Sequence, residues 1–308
     1  MILIVSSEND TMTDAICWWL AYQNKSFARL NENQLITKVY FDFDANIFLF
    51  SINSKNYDLK DFKSIYYRNG AIGFNSYQGE IDKNLAFFFN AENKSTIDFI
   101  SSFFKANGCQ IFGNFYNREV NKLEVLFLAK YIGLKIPESY VISSLKDLKK
   151  LNTSQKYITK AVSEMLPIFN ENELYLNYTH ELDFQDIQCK NDNVVPTLVQ
   201  KKIDRIYEIR VFFFDKKIWA IATFEFSDDV DVRNISDHQK KYLPYELPKD
   251  IKSKINKIAK LLDLYCGTID FIKSDDDFYF LEVNPLGQFH QVSHYGNYHI
   301  EKYIADLL

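Results

Sequence analysis

The sequence predicts an α/β layer domain followed by a second, strand-rich unit with helices of its own. Residues 1 to about 115 alternate strand-like and helix-like runs, the pattern of a layered domain with a partly parallel sheet. A capped helical stretch then opens a new unit near Asn117, and after residue 198 long apolar strands follow one another across short turns. At 308 residues the chain is long enough for two or three domains, or for one with a large core.

ILIVS (2–6) is a short apolar run that stops at a polar stretch. It lacks the basic flank of a signal peptide and reads as a first buried strand. DAICWWLAY (14–22) and the stretch from Asn84 to Lys105 read as helices; ITKVYFDF (36–43), IFLFSI (47–52) and SIYYR (64–68) read as strands. In NREVNKLEVLFLAKYIGLKIPESYVIS (117–143), apolar Leu123, Leu126, Phe127 and Ala129 mark a helix, with Gly133 near its end and Pro137 beyond it. LVQKKI (198–203) and EIRVFFFDKKIWAIATFEF (208–226) are strands, the second folding back at Asp215-Lys216. LPKDIKSKINKIAKLLDLYCG (247–267) is an amphipathic helix with Pro248 at its start, followed by two more strands and a final helical segment.

A formal net charge of -5 disfavours a chain held to nucleic acid by charge. The four cysteines, Cys17, Cys109, Cys189 and Cys266, have neither zinc-site spacing nor the density of a disulfide scaffold. A reducing cytoplasm is expected, and no membrane-spanning segment is evident. Neither GxxxxGK[ST] nor GxGxxG occurs, which disfavours P-loop and Rossmann chemistry.

FLEVNPLGQF (280–289) places Glu282 and Asn284 on one face of a strand, opposite Leu281 and Val283. The preceding strand, GTIDFIKS (267–274), offers Asp270, and KSDDDF (273–278) reads as the hairpin turn between them. If the strands pair, Asp270, Glu282 and Asn284 converge. Three oxygen donors suit magnesium, which takes few protein ligands and completes its shell with water and nucleotide phosphates. The same residues also suit an ordinary hairpin with a polar solvent face.

The ordered set of Lys122 at a helix start, Lys160 in YITKAV, LVQKKI, EIRV, Asp270 and LEVNP resembles the ATP-grasp carboxylate-amine ligases. The resemblance runs from about residue 115 to the C-terminus. NKLEVLFLAKYIGLKIPES, YLPYELPKDI and FLEVNPLGQF are similar, more narrowly, to the graspetide maturases of the microviridin-like and grasp-with-spasm types, which cross-link ribosomally made peptides. The resemblance implies an α/β and α+β architecture, the ATP-grasp fold. An N-terminal α/β domain (1–115) precedes a central subdomain (116–198) and a C-terminal catalytic subdomain (199–308), and these two clasp the nucleotide.

It further implies ATP and Mg2+ as cofactors, a precursor peptide with its leader as partner, and a homodimer. The implied reaction makes an acyl phosphate on a Glu or Asp side chain, which a Ser/Thr hydroxyl or Lys amine attacks to give an ester or amide. The alternatives are an ATP-grasp ligase that adds free amino acids to a protein tail or small acid, and a fold that only binds peptide or nucleotide.

Roles carried over by the resemblance are these. Lys122 and Lys160 bind the α- and β-phosphates. Gln200, Lys201 and the residues to Ile203 read the adenine edge through their backbone, with Ile203 on the ring face. Glu208 lies near the ribose and Arg210 near the transferred phosphate, a surface ion pair being the plainer reading of those two. Asp270, Glu282 and Asn284 hold the metal ions. Arg233, in DDVDVRN (228–234), grips the acceptor carboxylate unless that segment is only a charged loop.

One departure concerns KAVSEMLPIFNENELYLNYT (160–179), which contains no glycine where such enzymes often cover the phosphates with a glycine-rich loop. Ser163 and side chains are expected to take that part, or else nucleotide binds weakly until substrate closes the lid. YYRNG (66–70) ends a strand of the first domain, so Arg68 is expected to bind a substrate carboxylate, with a structural arginine at a turn as the alternative. His290, His294 and His299 invite a zinc reading, which the absence of a nearby Cys or HExxH disfavours.

Overall fold

The computed structural model describes residues 1–74, 82–113, 119–163, 168–170, 173–175, 179–184, 192–224, 240–275 and 277–308. Ile2–Ser6 form β1, every residue of which is buried, as a strand covered on both faces requires. Phe27–Asn31 (β2) and Ser64–Tyr67 (β6) flank it in parallel, and Gln110–Phe112 (β7) extends the sheet to the order β2-β1-β6-β7. Thr11–Tyr22 form α1, capped by Asp10, whose carboxylate accepts the Met12 N–H at 3.2 Å. Ile36–Asp42 (β3), Ile47–Ile52 (β4) and Lys55–Asp58 (β5) make a separate antiparallel meander. Lys83–Ala106 form α2, whose buried Ile100, Phe103 and Phe104 join Leu3, Val5, Phe48, Phe50 and Ile65 in the core.

The chain divides into two compact units, Met1–Arg118 with His299–Leu308, and Glu119–Tyr298. The last helix, Ile300–Leu307 (α7), therefore packs with the first unit although the sequence groups it with the C-terminal segment. It packs on α1 and buries Ile300, Ile304 and Ala305. Lys25 Nζ donates to the Ala305 carbonyl at 2.7 Å, and Ser64 Oγ donates to that of Leu308 at 2.9 Å. The expected boundary at 115/116 lies outside the described residues.

Arg68, just past β6, has a side chain only 4% exposed. Its Nε donates to Asp10 Oδ2 at 2.7 Å, and the Thr13 hydroxyl donates to the same oxygen at 2.9 Å. The guanidinium ties the end of β6 to the cap of α1, a part that a structural arginine at a turn would play. Gly70 lies so close to the chain at Ser6 that a Cβ would sit 2.5 Å from the Ser6 nitrogen. Arg68→Ala and Asp10→Ala are each expected to destabilise the fold by about 3–5 kcal/mol, because each strands a buried charge. The double variant should lose less than the sum in urea unfolding, whereas simple additivity would mean the pair contributes little.

In the second unit, Lys122–Tyr131 form α3, Ser139–Ser144 β8, Leu145–Leu148 α4 and Tyr157–Lys160 β9. Ile168–Asn170 (β10) and Glu173–Tyr175 (β11) pair as a hairpin. His180–Glu181 (β12) and Asn193–Lys201 (β13) complete an antiparallel sheet of order β12-β9-β13-β8. The second sheet contains Tyr207–Phe214 (β14), Lys217–Phe224 (β15), Lys241–Pro244 (β16), Cys266–Lys273 (β17) and Phe278–Asn284 (β18), in the antiparallel order β16-β15-β14-β17-β18.

Lys249–Leu261 form α5, with Ile251, Ile255 and Ile258 buried at helical spacing. These residues pack with Val125 and Ala129 of α3 and with Ile209, Val211, Phe213, Ile269, Phe271, Phe280 and Val283 of the sheet. That assigns one face of the second sheet to the core. The other face carries the charged residues. His290–Gly296 (α6) crosses that face, Phe289 lying 5.1 Å ring to ring from Phe212. No helix among the described residues is long and apolar enough to cross a membrane.

Candidate functional site

Strand register builds the site. Asp270 pairs with Glu282 and Thr268 with Asn284 across β17 and β18, while Arg210 of β14 pairs with Asp270 from the other side. Directly opposed residues share a face, so Arg210, Thr268, Asp270, Glu282 and Asn284 project together. A bulge makes this compatible with the core. Phe280 and Val283 are both buried though three residues apart, because the register shifts between Asp270 and Phe271 and passes over Leu281.

Lys160, at the end of β9, is 14% exposed, and its Nζ lies 3.9 Å from Glu282 Oε2. Lys122 opens α3 beyond its Asn121 cap and donates from Nζ to the Ser163 carbonyl at 2.7 Å. The backbone of the glycine-free loop is thus a direct partner of one of the two expected phosphate lysines. Lys122, Val125, Leu126, Lys160, Leu198, Leu281, Glu282 and Val283 line a small pocket. Two ammonium groups and a carboxylate thus stand together beside apolar side chains.

Arg210 Nε stands 3.8 Å from Asp270 Oδ1, and Nη1 donates to Gln291 Oε1 of α6 at 3.3 Å. The buried Nε makes no hydrogen bond. Glu208 shares this face but is held by Arg205, three residues earlier, whose Nη1 donates to Oε1 at 2.7 Å. That pair is partly buried. Asn284 also shapes the chain beyond its strand, since its Oδ1 accepts the Leu286 N–H at 3.0 Å and closes the turn after β18.

Gln200 and Lys201 end β13, and Ile203 lies in the connection to β14. Gln200 pairs with both neighbouring strands, and the N–H groups of Lys201 and Lys202 donate to Glu138 and Lys156 carbonyls, each at 2.9 Å. Those two amide hydrogens are therefore engaged within the protein. The Gln200 side chain is fully buried; its Nε2 donates to Ser139 Oγ at 2.8 Å and its Oε1 has no partner.

The oxygen set fits magnesium. It is two carboxylates and an amide, hard donors without nitrogen or sulfur. The Asp270 and Glu282 side chains are 32% and 45% exposed, reachable by water and phosphate oxygens. Among the described residues no three His, Cys, Asp or Glu side chains cluster to hold a metal ion. His290 and His294 do share a face of α6, their rings stacked 5.8 Å apart, while His299 belongs to the first unit. Arg233 and parts of the loop after Ser163 lie outside the described residues.

Arg205, Gln291 and Thr268 escape the sequence reading. Only Thr268 had a signal there, being two residues from Asp270 on the same strand face.

No family model matches the sequence. A curated relative, the beta subunit of an ADP-forming succinate–CoA ligase from Methanocaldococcus jannaschii, is 23% identical over 54% of this chain, which spans about half (52%) of that relative. Solved structures are similar over essentially the whole chain. A RiPP-associated ATP-grasp ligase of Chryseobacterium gregarium, in complex with ADP and a leader and core peptide, has a TM-score of 0.79 at 22% identity, covering 100% of this chain and 96% of that one. Macrocyclase MdnC of Microcystis aeruginosa, bound with precursor peptide MdnA, has 0.75 at 21% identity, covering 100% and 99%. ATP-grasp ligase PsnB, complexed with minimal precursor, Mg and ADP, has 0.71 at 15%, covering 99% and 96%. The chain therefore has the fold of the ATP-grasp ligases, in the form shared by these peptide-bound structures.

Proposed function

We propose that this chain is an ATP-dependent peptide maturase that phosphorylates Glu or Asp side chains of a precursor peptide and joins them to Ser/Thr hydroxyls or Lys amines. The observation that carries the reading is the convergence of Lys160, Arg210, Asp270 and Glu282 on one solvent-reachable sheet face. Lys122 and Lys160 bind nucleotide phosphates, where cations act most strongly in a partly closed pocket. Arg210, steadied by Gln291, offers its guanidinium to the phosphoryl group in transfer. Asp270, Glu282 and Asn284 hold magnesium, which when bound offsets the charge of phosphoryl transfer.

A free carboxylate is a poor electrophile. Once its oxygen carries phosphate, the attacking hydroxyl or amine forms the new bond to the carbonyl carbon, inorganic phosphate leaves with the bonding pair, and the nucleophile's proton passes to solvent. The reading draws support from the similar structures solved with ADP, magnesium and precursor peptides.

The rival ligase, which adds a free amino acid, needs a second substrate. The maturase does not, because its nucleophile is tethered to the same peptide at high effective concentration. Incubation of the enzyme with ATP, magnesium and a leader-bearing precursor peptide tests this. Full turnover is expected without any amino acid in the buffer, whereas saturable dependence on an added amino acid would favour the rival.

A further inference from the structure

Thr268 is 1% exposed and its hydroxyl makes no hydrogen bond. It stands on the site face of β17, two residues before Asp270 and directly opposite Asn284. A buried hydroxyl without a partner is unfavourable, and valine would fill the same space without that cost.

We propose that Thr268 is a positioning residue for Asn284: its Oγ1, without a partner in the structure, would accept an N–H from the Asn284 amide when a metal is held there and so keep Oδ1, rather than Nδ2, directed at the metal position. The inference rests on the magnesium reading of the oxygen set above. Asp270 and Glu282 present equivalent oxygens whichever way their carboxylates turn. Asn284 does not, since a half-turn of its amide exchanges an acceptor for two donors, and only oxygen ligates magnesium. The Leu286 N–H holds Oδ1 from one side. The amide nitrogen needs an acceptor on the other, and in directly opposed residues, with Cβ atoms about 5 Å apart, a side-chain rotation is enough to bring a threonine hydroxyl to it.

The experiment measures ADP binding to the full chain by calorimetry across a magnesium chloride series. Thr268→Val is expected to raise the magnesium concentration at half effect about 10- to 100-fold, the usual consequence of losing a group that orients a ligand. Its thermal midpoint should be unchanged or higher, a combination that a merely structural role would not produce. Thr268→Ser should behave like the parent. In an Asn284→Asp background, where no amide needs orienting, Thr268→Val should add nothing. If valine does not fold, Thr268→Ala serves in the same comparison with serine. An unshifted magnesium dependence in Thr268→Val, an equal shift in Thr268→Ser, or an undiminished shift in the Asn284→Asp background would each overturn the proposal. ADP binding by the parent that ignores magnesium would instead remove the metal reading itself, and this proposal with it.

Discussion

Glu282→Gln is expected to lower magnesium-dependent ATP turnover by two to three orders of magnitude, about 3–4 kcal/mol in the barrier, while the protein stays folded. The side chain is 45% exposed and is not one of the buried residues of the core. Glutamine keeps the shape and one oxygen but removes the charge that faces Lys160 Nζ, 3.9 Å away, and that the proposal assigns to the metal. Asn284→Ala is the less clean test, because it also removes the acceptor for the Leu286 N–H. ADP release with peptide present, beside a thermal unfolding curve, checks the expectation. Parent-rate turnover in Glu282→Gln would mean that this strand face holds no catalytic metal.

Arg210→Lys is expected to reduce turnover about ten- to a hundredfold with little change in ADP affinity. One edge of the guanidinium faces Asp270 while Nη1 reaches Gln291. A planar fork can hold those contacts and still address phosphate oxygens, whereas an ammonium acts as a single point charge. Steady-state rates and calorimetric ADP binding on one preparation separate the two effects. Unchanged rates would leave Arg210 a structural partner of Asp270 alone.

Strands buried on both faces were legible in the sequence, as ILIVS shows, because a continuous apolar run allows few other readings. The shared face of Glu282 and Asn284 was legible from the period of two. The bulge at Leu281 was not, since an extra residue shows itself only against a paired strand. FARLN (27–31) escaped notice as β2 because only Ala28 and Leu30 face inward and its other side chains are polar or large.

Pairings between distant positions were equally hidden. Gln291 meets Arg210 across 81 residues of chain, and an amphipathic helix such as α7 announces an apolar face without saying which core it covers. Arg68 illustrates the same limit at a candidate site. The end of a parallel strand suggested a ligand, and one carboxylate that meets Arg68 there is that of Asp10, the cap of α1, a pairing across 58 residues of chain.

The most direct measurement is the intact mass of a leader-bearing precursor peptide after incubation with the enzyme, ATP and magnesium and nothing else. Cross-linking within one chain is expected to lower the mass by one water for each bond, with one ADP and one phosphate released per bond, as acyl phosphate formation and displacement require. A peptide of unchanged mass under conditions where ADP accumulates, or one whose mass rises by an amino acid supplied in the buffer, would contradict it.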